Sequence, residues 1–438
     1  MAIDSLVIGG GMAGMVAALK LAHSGASVTL VEKSDRLGGL ASSFEKDGRL
    51  YPLGYHHILS TDPHLLAYLA RLGLLDRVHW KRLEMGFSID GEIHGLAGLK
   101  DLWHFPLSLR TKLRMGLRMA TAWMPLDGDE PASAWLERIA GRAAVEQFFN
   151  PLTHIKFGLP TSALSAAWLR ERSQGREAHC RYGYMPNADW VNVLVQALHR
   201  ALKEAGVEIL LETAAVSIET NTAANRIISV DLSDGQTIKS KITIAAIAPP
   251  ILRRLTQDTP DAELDAIDYT GVVSTVVATR DDVPLDRYWT NFIQPTTSFG
   301  GIFRLDLLND SLGHPGMRLL NFCTHVRDRG EGSMLEWSPA DIEARYLADF
   351  ETRFGVSLNP EWTHTSRIPF YSPVFVNGYR NPPVTHGRLR NLFLAGNHRT
   401  FPVLATTGSA MGSGAEAARA ALSSRFMALT ALGDTEAA

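Results

Sequence analysis

The chain has 438 residues, 45% of them apolar and 20% charged, with a formal net charge of −3. That length suggests two or three folding units, and the apolar fraction supports a sizeable core and excludes a disordered chain. The near-neutral balance argues against a nucleic-acid binder, and two cysteines, Cys180 and Cys323, exclude a disulfide scaffold or a cysteine-rich metal centre.

Few cysteines also fit a reducing cytoplasm. Met1-Ala2-Ile3-Asp4 carries an acid and no base before its apolar run, which is not an export signal. The run Leu6 to Ala22 is apolar, but Gly9-Gly10-Gly11 and Lys20 fit a strand, turn and helix better than a membrane span. No stretch elsewhere reaches the roughly 20 apolar residues a span needs.

In chain order, Ser5 to Ile8 reads as a buried strand, Met12 to Ser24 as an Ala-rich helix ended by Gly25, and Ser27 to Glu32 as a second strand. Residues 85 to 190 carry helical patterns, among them Trp135 to Phe149, closed by Pro151. Asp189 to Ala205 reads as an amphipathic helix. Short strands follow at Val207 to Leu211, Val216 to Glu219, Ile227 to Leu232 and Ile242 to Ala246, with a hairpin turn at Asp234-Gly235. Val272 to Thr279 is β-branched, Asn391 to Ala395 is an apolar strand, and Gly412 to Ala421 is an Ala-rich helix. The polar tail after Ala428 is expected to fray.

Nucleotide-fold signals thus stand at the start, the middle and the end. The expected class is α/β. A Rossmann-type domain is assembled from residues 1–84, 190–265 and 385–428. It is interleaved with an α+β substrate domain from 85–189 and 266–384, and 429–438 form a flexible tail.

Gly9-Gly10-Gly11-Met12-Ala13-Gly14 fits G-x-G-x-x-G. Gly9 permits the tight turn, Gly11 admits a pyrophosphate and Gly14 lets helix and strand pack closely. The helix start offers N–H groups and a positive dipole end to the phosphates. Glu32, 18 residues after Gly14, ends the second strand where an acid can hold ribose hydroxyls.

Just beyond Glu32 and Lys33 stands Arg36-Leu37-Gly38-Gly39-Leu40-Ala41-Ser42. With this R-x-G-G motif the sequence resembles the FAD-dependent amine oxidase, phytoene desaturase and protoporphyrinogen oxidase superfamily. The resemblance implies that Arg36 and Gly39, with Lys33, Gly38 and Leu40 around them, approach the FAD diphosphate and ribityl chain. At the other end, Phe393-Leu394-Ala395-Gly396-Asn397 is similar to the family's L-x-L-A-G-D element. Gly408, Ser409 and Ala410 lead into Ser413-Gly414, which is similar to its G-A-x-x-S-G helix start. That helix end is implied to face the flavin pyrimidine and to steady negative charge there. Asn397 stands where an acid is usual, and Ser409 where a Gly is usual. The resemblance also covers Val207 to Glu219 and implies Val216 against the adenine. No Cys lies beyond Cys323, so the FAD is expected to be held non-covalently.

On the substrate side, Gly54, Tyr55, His56 and His57 resemble the family's Gly-His loop beside the flavin. His57 to Asp62 is similar to UDP-galactopyranose mutase as well. An imidazole suits acid–base work near neutral pH, and alternatively it shapes the loop. Lys156 is a candidate to hold an anionic substrate or a flavin-bound water, or is a solvated helix-end charge. Arg170, Arg172, Arg176, His179 and Arg181 suit a phosphate or carboxylate, or form an exposed helix face. Leu109, Leu113, Leu117, Ala120 and Met124 recur at helical spacing beside Arg110, Arg114 and Arg118. Such a helix packs on its own domain or rests peripherally on an anionic membrane. Tyr288, Trp289, Tyr371 and Tyr379 are aromatic candidates for the pocket or the core.

No second dinucleotide motif is evident, so the substrate itself is expected to supply the electrons, with oxygen, a quinone or another carrier as acceptor. The resemblance implies an oxidase, dehydrogenase or desaturase moving a hydride from a substrate C–H to flavin N5. The substrate is an amine, polyene, porphyrinogen or sugar. The alternative is a non-redox sugar-nucleotide enzyme of the UDP-galactopyranose mutase kind, and a third reading is a flavin-binding protein that has lost its chemistry.

Overall fold

The structure is a computed structural model that describes residues 2–96, 99–119, 126, 129–172, 180–221, 223–256, 259, 261–294 and 296–433. Of the residues singled out above, Ala120, Met124, Arg176 and His179 lie outside the described ones, as does 434–438. Helices in chain order include α1 (Met12–Ala22), α2 (Pro63–Arg71), α3 (Leu109–Met119), α4 (Asn150–Phe157), α5 (Trp190–Glu204) and α6 (Thr407–Gly433).

Ala2–Ile8 and Val28–Val31 flank α1 as strands. Alternate side chains of these strands enter different cores, Val7 and Leu30 on one face and Leu6, Ile8 and Val31 on the other. A sheet buried on both sides in this way reads as a continuous apolar run, which is why both strands were legible. They belong to a seven-stranded sheet. Its parallel part runs Glu208–Leu210, Val28–Val31, Ala2–Ile8, Thr237–Ala245 and Leu392–Leu394. Arg226–Leu232 and Ala215–Asn221 extend it antiparallel. On the first face α1, α5 and α6 share one core. The apolar residues of α5 recur three and four apart and are buried, and Asp189 caps it by accepting from Val191 N.

A second seven-stranded sheet follows the order Pro360–Pro373, Tyr269–Thr279, Arg318–Val326, Gly301–Arg304, Trp289–Phe292, Met85–Ile89 and Glu92–Gly95. Pro360–Pro373 was not legible, because its residues are mostly half-buried and carry no clean alternation. A small sheet pairs Tyr182–Tyr184 with Ile58–Leu59 and His79–Lys81. It ties residues assigned to the substrate segment to the first cofactor segment.

Two helices differ from expectation. The pattern from Trp135 to Phe149 breaks at Gly141, where φ is 89°, into Ala132–Ile139, a short turn at Arg142–Ala144 and a π-helical turn at Val145–Phe149. Pro151 does not close it. Pro151 occupies the first turn of α4, where its missing N–H costs nothing. α6 starts at Thr407, earlier than Gly412, and continues to Gly433. Its early start has a local cause. Thr406 Oγ1 accepts from Ser409 N at 3.1 Å and Ser409 Oγ accepts from Thr406 N at 2.8 Å, a reciprocal cap.

Two glycines set how the layers meet. A Cβ on Gly14 would lie 1.8 Å from the Gly9 carbonyl oxygen, and a Cβ on Gly414 would lie 2.0 Å from that of Ala13. α6 therefore crosses α1 backbone to backbone at the first turn of α1. Gly414→Ala is expected to lower stability by about 2–3 kcal/mol through forced separation of the helices, and to weaken flavin retention. Gly412→Ala, whose Cβ would meet only the exposed His64 ring at 3.3 Å, is the tolerated control, with thermal unfolding and the bound-flavin ratio as readouts.

Candidate functional site

A cleft of about 550 Å3 is lined from both large sheets. At one end lies the turn between Ala2–Ile8 and α1. Gly9, Gly11, Met12 and Ala13 line the cleft there, while Gly14 is buried behind them against Gly9. α1 starts at Gly11 with no side-chain cap and no acid in its first turn, so backbone donors face the cleft. A Cβ on Gly11 would meet nothing closer than Gly39 Cα at 3.9 Å, so that space is open to a phosphate. Glu32 is buried with its carboxylate accepting from Gly10 N at 2.7 Å and Ser34 N at 2.9 Å. Those bonds aim the remaining lone pairs at the cleft, beside Lys33.

Gly38, Gly39 and Leu40 line the next stretch, and Arg36 does not. Its guanidinium grips Asp35 through two bonds of 2.8 and 2.7 Å and donates to the Ser43 carbonyl at 2.9 Å. Arg36 thus braces the Gly38-Gly39 loop from outside. Asp189 braces it from behind, accepting from Ser43 Oγ while capping α5. Burial outweighs these hydrogen bonds and pushes the Asp189 carboxyl up to about 6.

The C-terminal elements close the opposite wall. Gly396, Asn397, His398, Thr406, Thr407 and Ala410 line it. Gly408 and Ser409 do not. A Cβ on Gly408 would lie 2.1 Å from the Asp62 carboxylate, and Ser409 serves the α6 cap. Asp62 escaped the sequence reading as a site residue. It caps α2 by accepting from Leu65 N at 3.1 Å and also accepts from Thr406 Oγ1 at 2.8 Å, so one carboxylate joins two helix starts. Asn397 is equally specific. Tyr269 Oη donates to its Oδ1 at 2.9 Å, and its Nδ2 donates to the Tyr371 carbonyl at 3.2 Å. Only an amide satisfies both, which is why an acid does not stand there. His398 is buried with neither ring nitrogen hydrogen-bonded. Burial, and then the Arg399 charge, hold it down to about 3.

At the far end Tyr55 stacks on Phe303 at 3.8 Å, with Tyr371 beside it. Gly54 is not on the lining, and packs near Ser274. His56 donates from Nε2 to the Leu40 carbonyl at 3.1 Å, and burial pushes it down to about 4. It is neutral at pH 7. His57 Nδ1 pairs with Tyr288 Oη at 3.1 Å. Lys156, at the end of α4, lies 4.2 Å from the centre of the Trp289 ring, and Arg172 lies 6.0 Å from it. Both line the cleft with His325, which burial and then these two charges push down to about 3. The lining acids are Glu32 and Asp62, both held by backbone N–H groups.

Val216, Arg170, Arg181 and Tyr379 also stand off the cleft. Val216 is 52% exposed on Ala215–Asn221 and does not line the cleft, although Thr213 N nearby bonds the Glu32 carbonyl at 2.9 Å. Arg181 packs over Trp80 outside the cleft, and Arg170 does not line it. Tyr379 is buried and donates to the His398 carbonyl, so it supports the wall without facing the cleft.

This fold and cleft define a flavoprotein of the two-sheet type. The family model described as "Flavin containing amine oxidoreductase" matches residues 12–422, and the chain belongs to that family. A 15-cis-phytoene desaturase from Narcissus pseudonarcissus is 35% identical over 88 residues, covering 20% of this chain and 15% of that protein. A protein from Exiguobacterium sp. 255-15 designated a protoporphyrinogen oxidase shares the fold with a TM-score of 0.76 at 17% identity, over 95% of this chain and 98% of that one. Reduced UDP-galactopyranose mutase also shares it, with a TM-score of 0.76 at 16% identity over 96% of each chain.

Two outcomes follow. Asn397→Asp is expected to destabilise by about 1–3 kcal/mol, because a carboxylate oxygen replaces the donor facing the Tyr371 carbonyl; chemical denaturation reads it. The native state holds the Asp189 proton more tightly than the unfolded chain, whose carboxyl stays near 3.8. Its contribution is complete below that value and is lost as pH rises to about 6. Asp189→Asn is expected to flatten the stability profile across that window.

Proposed function

We propose that this chain is an FAD-dependent oxidoreductase acting on a substrate that carries a carboxylate or phosphate. The observation that carries the reading is one cleft joining the uncapped start of α1 to the Lys156, Trp289 and Arg172 cluster. The residues fit the cofactor. Gly11 leaves room for a phosphate, Glu32 is aimed for ribose hydroxyls, and the unpartnered nitrogens of His398 await a polar ligand. Neither cysteine lines the cleft, which supports non-covalent binding. Gly11, Glu32 and His398 would hold the flavin, and its chemistry there would be to supply a hydride acceptor for a substrate C–H and an electron route to oxygen, a quinone or another acceptor.

The chain's own part is positioning. Lys156 and Arg172 hold the anionic group, and the Tyr55, Tyr371 and Trp289 rings exclude water. His56 and His325 are neutral near pH 7 and keep no exchangeable charge there. His56 fixes the Leu40 loop, and His57 with Tyr288 positions the aromatic wall. The cations disfavour an ammonium group, so a cationic amine is the least suited of the family's substrate classes. Cys180 and Cys323 are buried and outside any disulfide, which fits the cytoplasm. We assign the first sheet and its helices to the cofactor domain and the second sheet to the substrate domain.

A sugar diphosphate would fit the same two cations, which keeps the non-redox sugar-nucleotide reading as the second one. Anaerobic addition of anionic candidates to oxidised enzyme separates the two. Bleaching of the flavin absorbance supports oxidation, and turnover only after prior reduction supports the second reading. Purified protein without bound FAD would refute both. Lys156→Met and Arg172→Met are each expected to raise KM about 10- to 100-fold, the loss of one charged hydrogen bond, with the flavin spectrum unchanged.

A further inference from the structure

α3 presents an unusual face. Thr111 is buried and Met115 packs inward on the cluster of Phe87, Phe105 and Phe148. Leu109, Leu113 and Leu117, each one turn apart, are 55%, 58% and 77% exposed, and Trp103 just before them is 63% exposed. Single exposed leucines are ordinary, but an aligned row is not. Arg110, Arg114 and Arg118 run along one flank of this row and Lys112 stands on the other, and α3 holds no acid. Four cations on 11 residues contrast with a chain whose net charge is −3. The helix is anchored, since Arg114 donates to the Glu137 carbonyl at 2.8 Å and Lys112 to the Trp103 carbonyl at 2.5 Å.

We propose that α3 is an interfacial helix that seats the protein on an anionic lipid bilayer. The leucines and Trp103 enter the headgroup boundary, and the flanking cations meet lipid phosphates. A second copy fits less well, because its own four cations would face these four. Among the described residues no helix is long and apolar enough to cross a membrane, so the contact is with the surface. The cluster beneath α3 also holds Ile155, the neighbour of cleft-lining Lys156. The membrane face is thus one layer from the cationic end of the cleft, a consequence that rests on the functional reading above, whereas the seat itself does not.

The test is flotation of the flavin-loaded protein with vesicles of phosphatidylcholine alone and of phosphatidylcholine mixed with phosphatidylglycerol. Binding is expected to the mixed vesicles only, and to weaken as salt rises. The double substitution Leu113→Glu with Leu117→Glu, and separately Arg110→Glu with Arg118→Glu, should each reduce binding about tenfold or more, with circular dichroism and flavin absorbance unchanged. Equal binding to neutral vesicles, no binding, or binding indifferent to the leucine substitutions would overturn the proposal. So would a dimer that the leucine substitutions dissolve, which would assign the row to a second copy. Vesicle binding is read without turnover, so its failure is distinct from failure of the oxidoreductase reading.

Discussion

Where Gly414 meets the Ala13 carbonyl, two helix backbones touch with no side chain between them. The contact brings the start of α6 beside the start of α1. Helix starts carry unpaired N–H groups and a partial positive charge. Setting two of them along one cleft builds a lining suited to an anionic, extended cofactor before any charged side chain is counted. Asp62 reinforces the arrangement from the opposite side, since its carboxylate answers both α2 and the Thr406 cap of α6. A larger residue at 14, 408 or 414 would push one of these layers outward.

The cleft is polar in a graded way. Glu32 sits by the glycine turn and Asp62 by the starts of α2 and α6, each accepting from backbone N–H groups, whereas Lys156 and Arg172 stand at the far end around Trp289. The imidazoles between them, His56, His325 and His398, are all held down by burial, so near neutral pH they add shape and hydrogen bonding without charge. Asn397 couples the two sheets across this gradient through Tyr269 and the Tyr371 carbonyl. A neutral amide there gives the wall hydrogen bonding without adding a charge.

The parts legible in the sequence are those governed by local physics. The glycine spacing from Gly9 to Gly14, the acid at Glu32 and the amphipathic helix from Asp189 each follow from contacts within a few residues or within one βαβ unit. What escaped depends on partners far along the chain. Asp62 looks like any helix cap until Thr406 is placed beside it, 344 residues later. Ser409 looks like a departure from a motif until Thr406 shows it to be half of a cap. Val216 followed a family pattern, and its place off the cleft shows only in the fold. Pro360–Pro373 carried no period because its residues serve a sheet, the cleft and solvent in turn. Similarly, the leucines of α3 had the spacing of a buried face, and only the fold shows which side is covered.

The parallel sheet has an ordering consequence. Ala2–Ile8 pairs with Thr237–Ala245, which in turn pairs with Leu392–Leu394, and the last helix lies on the first. A chain emerging from the ribosome exposes its N-terminal βαβ unit long before either neighbouring strand exists. The end beside the glycine turn is not walled until Leu392–Leu394 and α6 arrive, so the cleft takes shape only after synthesis has passed α6. Loss of the C-terminal strand and helix would leave the glycine turn intact in sequence and without a pocket.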